Sequence, residues 1–189
     1  MVKPPPTPTI DENLALLHDT LRPTKFFYWV IGGALVHYMR SGHMDRDKDV
    51  DFGFFSVDPR KSVLQSELMP KAGFKKLKCY QDENDHTTEY VFEKDGVKYE
   101  FFEHRVVGGD YVWFAYDGPT KYERGCRSHS FQRIQYVGRD WHVPHPTEEF
   151  LVAVYGVDWR IPDPHWSWKS GACVRRVVEM SRYGQRKFS

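Results

Sequence analysis

The chain has 189 residues, enough for one domain of ordinary size that buries roughly two-thirds of the surface its unfolded form exposes. Its 27 basic and 26 acidic side chains leave a formal charge of +1, so no net field holds a polyanion, and nucleic acid is not an expected partner. Aromatic residues at 16% within 40% hydrophobic overall fit a compact fold with strands and exclude a disordered chain.

Pro4, Pro5, Pro6 and Pro8 keep the start extended, so residues 1–10 are expected as a flexible tail and 11–189 as a single domain. Leu14, Leu17 and Leu21 recur at helical spacing from about Asp11 until Pro23 stops the helix. Phe26 to Ile31 is an aromatic and β-branched run that predicts a buried strand. Gly32 and Gly33 break it, and Ala34 to Arg40 reads as a helix. Val50 to Phe55 predicts a second strand, with Asp49, Asp51 and Gly53 on one face and Val50, Phe52 and Phe54 on the other.

Pro59 to Pro70 is expected to be helical, followed by strands over Phe74 to Tyr80, Thr87 to Phe92 and Val97 to Glu103. Lys94-Asp95-Gly96 joins the last two as a hairpin, because an Asp-Gly pair suits the tight turn. Tyr111 to Tyr116 and Phe131 to Val137 are further strand candidates. Thr147 to Tyr155 reads as a helix with Thr147 as its cap and Glu148 and Glu149 in its first turn, and a last helix is expected from about Ser170 to Arg182. This order predicts an α+β fold, a mixed sheet flanked by helices.

Three widely separated cysteines, Cys79, Cys126 and Cys173, suggest neither a disulfide framework nor a zinc site, and a reducing compartment is the simplest expectation. The start MVKPPPTPTI has no apolar stretch behind Lys3, and no run of about 18 apolar residues occurs. A cytoplasmic location without a membrane span is therefore expected for the chain as given, although a piece of a longer anchored protein would read the same.

The chemistry concentrates in WVIGGALVHYMRSGHMDRDKDVDFGFF. Two carboxylates at i and i+2 on a strand, Asp49 and Asp51, point to one side roughly 6 to 7 Å apart and can share a hard cation. Mg²⁺ is commonly held by one or two carboxylates together with substrate phosphates. Gly32 and Gly33 let the backbone approach a phosphate, beside free N–H groups of the following helix. The order strand, GG, helix, DxD resembles the nucleotidyltransferase superfamily. A third carboxylate is expected on a neighbouring strand, and GVKYEFFEH offers Glu100 and Glu103. Glu100 is favoured, because a charge inside an apolar run needs a partner such as a cation, whereas Glu103 near the strand end reads as a surface residue.

More closely, the chain resembles the LicD and fukutin-like transferases. The residues that carry the likeness are Gly32-Gly33, Arg40, the cluster Asp47, Asp49 and Asp51, and Tyr99-Glu100-Phe101-Phe102. Val143-Pro144, Glu148-Glu149-Phe150-Leu151, Tyr155-Gly156-Val157-Asp158-Trp159-Arg160 and Pro162 complete it, so that the likeness spans about residues 13 to 168. Glu100 stands where the family usually has Asp, and Asp45-Arg46 where it often has Trp. The resemblance implies transfer of a phospho-alcohol, such as phosphocholine or ribitol phosphate, from a CDP-linked donor to a sugar or glycan hydroxyl. Mg²⁺ or Mn²⁺ would sit at Asp49, Asp51 and Glu100. Arg40 would clamp a phosphate, unless it only answers the dipole at the end of its helix, and Asp47 would receive the acceptor proton. Two other functions stay open: nucleotidyl transfer to a small hydroxyl compound, and a regulatory module that keeps the fold without catalysis.

The remaining features are read more plainly. No pair among His37, His43, His86, His104, His129, His142, His145 and His165 has HxxxH spacing with a companion Cys, and His142 to His145 reads as a loop. Trp159, Trp166 and Trp168 beside Pro162 and Pro164 either pin the chain end to the core or stack on a ligand. Arg175, Arg176, Arg182, Arg186 and Lys187 read as a solvated helix face.

Overall fold

The computed structural model describes residues 9–44, 49–127, 130–180 and 185–186. Helix α1 (Ile10–Leu21) starts at a capping box, in which the Thr9 hydroxyl accepts from the Glu12 amide and the Glu12 carboxylate accepts from the Thr9 amide at 2.7 Å. Strand β1 (Tyr28–Ile31) runs into helix α2 (Gly32–Ser41), and β2 (Asp49–Phe55) returns antiparallel to β1. Strands β3 (Lys75–Gln81), β4 (Thr87–Lys94) and β5 (Val97–Val107) form a meander. Asp95 and Gly96, with φ of 52° and 80°, make the tight β4–β5 turn.

The expected α+β architecture, a mixed sheet flanked by helices, is what the chain forms. Strands β6 (Asp110–Asp117), β7 (Thr120–Arg127) and β10 (Val174–Glu179) extend the sheet on one side. The short β11 (Gln185–Arg186) closes the other, in the order β10-β7-β6-β5-β4-β3-β11. Strand β2 lies parallel to β5, with Asp51 opposite Glu100, and every other strand pair among the described residues is antiparallel. Strands β8 (Ser130–Tyr136) and β9 (Arg139–His145) form a separate hairpin, which leads into helix α4 (Thr147–Tyr155).

Alternation along β2 and β5 divides the molecule. Val50, Phe52, Phe54, Tyr99 and Phe101 are fully buried and join Leu14, Leu17 and Leu21 of α1 in the main core, where the Phe52 ring stacks on Phe101 at 4.9 Å. Each such aromatic contributes about 1.5–3 kcal/mol of burial. The opposite face carries Asp49, Asp51 and Glu100. Its next position on β2 is Gly53 because the Trp29 ring occupies that space: a Cβ there would lie 2.3 Å from Trp29 Cε2.

Several sequence expectations need correction. Pro59 to Pro70 is not one helix but a 3₁₀ turn (Pro59–Leu64) and a short helix α3 (Leu68–Lys71). Thr147 is the first helical residue rather than the cap, its hydroxyl donating to the Pro144 carbonyl at 2.7 Å. His142 to His145 lies in β9. The expected last helix is instead strand β10, where Val174, Val177 and Val178 pair with β7, and β-branched residues at an open sheet edge outweigh a weak helical spacing. Arg175 and Arg176 therefore sit on a strand, and Arg182 and Lys187 lie outside the described residues.

Candidate active site

The acidic face of β2, β5 and β4 opens into a cleft of about 1080 Å³. Its walls come from α2, the end of α4, strands β6 and β7, and the segment 156–168. Asp49, Asp51, Glu100, Gly32, Gly33 and Arg40 all line it. The structure thus brings together six of the seven residues that the sequence singled out; the seventh, Asp47, lies outside the described residues.

Gly32 is the conformational key to the turn. Ile31 pairs with Asp51, so the chain leaves β1 directly against the Asp51 carboxylate. Gly32 takes φ of +67°, and a Cβ there would fall 2.0 Å from Asp51 Oδ2. Only glycine satisfies both conditions.

Glu103 is not a surface residue. It is 2% exposed on the core-facing side of β5, where its carboxylate accepts from Lys61 Nζ at 2.9 Å, His86 Nε2 at 2.7 Å and Arg105 Nε at 3.3 Å. Glu100, one strand position over from that side, faces the cleft. It stands opposite Asp51 across the parallel pair, and its carboxyl is pushed up by burial and by the neighbouring Asp49.

A fourth carboxylate, Glu89, was missed. It is 4% exposed on β4 and lines the same cleft. Burial first, then the Glu100 and Asp51 carboxylates, push it well above the usual range, against the opposing pull of Lys78 and Lys98. The signal was slight: Glu89 directly precedes the apolar run Tyr90-Val91-Phe92 of its strand. Glu89 and Glu100, desolvated beside other carboxylates, therefore have a raised affinity for protons or for a cation. Among the described residues no three His, Cys, Asp or Glu side chains already close into a metal cage. The all-oxygen donor set of Asp49, Asp51 and Glu100 fits a hard cation that takes its remaining ligands from substrate phosphates and water.

Arg40 does more than answer a helix dipole. Its guanidinium donates to the carbonyls of Trp159 and of Ile161, the latter at 3.3 Å, and so ties the end of α2 to the segment that roofs the cleft. Trp159 is 2% exposed and pins that segment, with Arg160 stacked on its ring at 4.4 Å and paired with Glu148. Trp166 packs on Tyr155 at 4.6 Å and Trp168 on Tyr122 at 5.0 Å, and both line the cleft.

No protein-family model matches the chain. Ribitol-5-phosphate transferase FKTN of Mus musculus is 29% identical over 167 residues, covering 84% of this chain and 35% of that protein. The Homo sapiens and Macaca fascicularis proteins of the same name are also 29% identical over 84% of this chain. Over most of its length the chain is thus similar in sequence to these transferases. It spans about a third of the length of these relatives, 34% to 35%, and the matched 167 residues are of the extent that the motif likeness reached. Among solved structures, the lincomycin-bound lincosamide antibiotic adenylyltransferase LnuA aligns with a TM-score of 0.49 at 15% identity, covering 76% of this chain and 85% of that one. No helix among the described residues is long and apolar enough to cross a membrane.

Proposed function

We propose that the chain catalyses transfer of a phospho-alcohol, of ribitol phosphate or phosphocholine type, from a CDP-linked donor to a sugar or glycan hydroxyl. The observation that carries this reading is the convergence of Asp49, Asp51 and Glu100 on one cleft face beside the Gly32 turn, in a homologue of proteins named ribitol-5-phosphate transferase. The fold, in this reading, is of nucleotidyltransferase type.

Asp49, Asp51 and Glu100 would hold Mg²⁺ or Mn²⁺, which supplies charge neutralisation on the diphosphate and the leaving CMP. Gly32 and Gly33 leave the backbone of the turn open to a phosphoryl oxygen. The acceptor oxygen bonds to the phosphorus that bears the alcohol, the bond from that phosphorus to the bridging oxygen breaks, and CMP departs with its electron pair. The acceptor proton passes to a carboxylate, for which Asp47 is the candidate. Arg40, occupied with two carbonyls, serves by holding the cleft roof in place.

The test is to incubate the chain with Mn²⁺ and either CDP-ribitol, CDP-choline, CTP or ATP, together with sugar acceptors, and to weigh the products. Gain of ribitol phosphate or phosphocholine supports the proposal, and gain of a nucleotide would establish nucleotidyl transfer instead. A folded chain that shows no metal-dependent nucleotide binding would be a regulatory module.

A further inference from the structure

Arg124 reaches the cleft from β7, two strands beyond β5 in the sheet order, a lateral separation of about 10 Å. Its guanidinium lies over the Trp113 ring at 5.4 Å and its Nε donates to the Cys173 thiol at 3.3 Å. Nη2 is buried and has no hydrogen-bond partner among the described residues, and no carboxylate among them lies within ion-pair distance of the group. Of the other cations of the cleft, Arg40 donates to two carbonyls, although its Nε is also buried without a hydrogen-bond partner among the described residues, Lys78 donates to the Tyr80 hydroxyl at 2.6 Å, and Lys98 stands across the sheet from Asp49 and Glu93.

A buried guanidinium donor that meets no acceptor in the protein is costly, and charge-assisted hydrogen bonds to an oxyanion are what it recovers most from. The Trp113 ring and the bond from Nε to the Cys173 thiol hold the guanidinium in place, so little freedom is lost when an anion binds. A single phosphoryl group at Asp49 and Asp51 cannot also span two strands. We propose that Arg124 forms a second anion subsite of the cleft, which takes a phosphate carried by a ligand away from the acidic face. The site rests on the transferase reading only for the identity of that ligand, either the donor or a phosphorylated acceptor.

Inorganic phosphate in EDTA is the first probe, since it needs neither metal nor turnover. It should stabilise the wild type and Asp51→Asn alike in thermal unfolding, while Arg124→Gln loses the effect. Arg124→Lys, which keeps the charge and the packing stem, should retain part of it. Two further ligands assign the source: CDP-ribitol with Mn²⁺, and a hexose 6-phosphate against the free hexose. A loss of roughly 10- to 100-fold in affinity for one of them in Arg124→Gln names the partner. Equal phosphate stabilisation of wild type and folded Arg124→Gln, or none in either, overturns the subsite. Failure of Mn²⁺-dependent nucleotide binding alone would instead overturn the transferase reading and leave the phosphate result standing.

Discussion

Glu100 and Glu103 sit on opposite faces of one strand and answer to opposite physics. Glu103 is buried with the Lys61 and Arg105 cations and the His86 ring against its carboxylate, so Glu103→Gln removes a compensated charge and should lower stability by roughly 1–3 kcal/mol in urea unfolding. Glu100 is half-buried beside carboxylates, and Glu100→Gln removes a repulsion; it should leave the metal-free protein as stable or more so while abolishing Mn²⁺-dependent binding and transfer. Finding Mn²⁺-dependent stabilisation intact in Glu100→Gln would remove that residue from the metal site. Asp49→Asn and Asp51→Asn should each slow transfer by about 100-fold or more with the fold preserved. Gly32→Ala combines a left-handed backbone with displacement of the Asp51 carboxylate, so it should cost roughly 1–3 kcal/mol and weaken metal binding together. A Gly32→Ala protein with native stability and metal affinity would contradict the turn geometry.

At the scale of elements, the cleft is a joint between a sheet and a roof. The sheet side is rigid, built on the β2–β5–β4 ladder. The roof, 156–168, has no strand or helix of its own and is held by short turns such as Ile161 N–H to Asp158 carbonyl at 2.8 Å, by Trp159, and by Arg40. Losing two charge-assisted bonds in Arg40→Leu should cost about 2 kcal/mol locally. Hydrogen exchange followed by mass spectrometry should show faster exchange across 156–164 with α1 unchanged. Unaltered protection of that peptide would mean that Trp159 and the local turns hold the roof without Arg40.

For the whole molecule, pH and ligand linkage give two measurements. His104 is buried between Trp29 and Trp113, its Nδ1 donating to the Phe102 carbonyl at 2.9 Å, and burial pushes its pKa down to about 4 from 6.5. The unfolded chain therefore binds more protons in that interval. The stability from neutral His104 is complete above the unfolded value and falls as pH drops through the window, by about 3 kcal/mol in all. Urea midpoints at neutral and acidic pH should converge in His104→Phe and diverge in the wild type. The raised carboxyls of Glu89 and Glu100 act in the opposite direction, losing stability as pH rises, and cancel in that comparison. Because no three-ligand cage is preformed among the described residues, Mn²⁺ and nucleotide should bind together. Each alone should shift the melting temperature little, and both at about 100 times their joint Kd should add about 2.7 kcal/mol.

Sequence alone was enough for the features that depend on near neighbours along the chain. The two-residue alternation of Asp49 and Asp51 against Val50 and Phe52, the Asp95-Gly96 turn and the break at Gly32-Gly33 are consequences of backbone geometry, and each stands where it was expected. Composition likewise marked Glu100, because a charge within an apolar run is conspicuous without coordinates. The tertiary structure decided whatever depends on which strand lies beside which. Parallel pairing of β2 with β5 sets Glu100 opposite Asp51, and the β4–β5 register adds Glu89. Residues 174–179 became a strand only because the edge of β7 was open to them. Glu103, which reads as a surface charge, is buried because Lys61 and His86 arrive from elsewhere in the chain to join Arg105 of its own strand around the carboxylate. Lys61 and His86 are remote in sequence from Glu103, and the free energy that selects such partners, burial against neutralisation, exists only once the chain has folded.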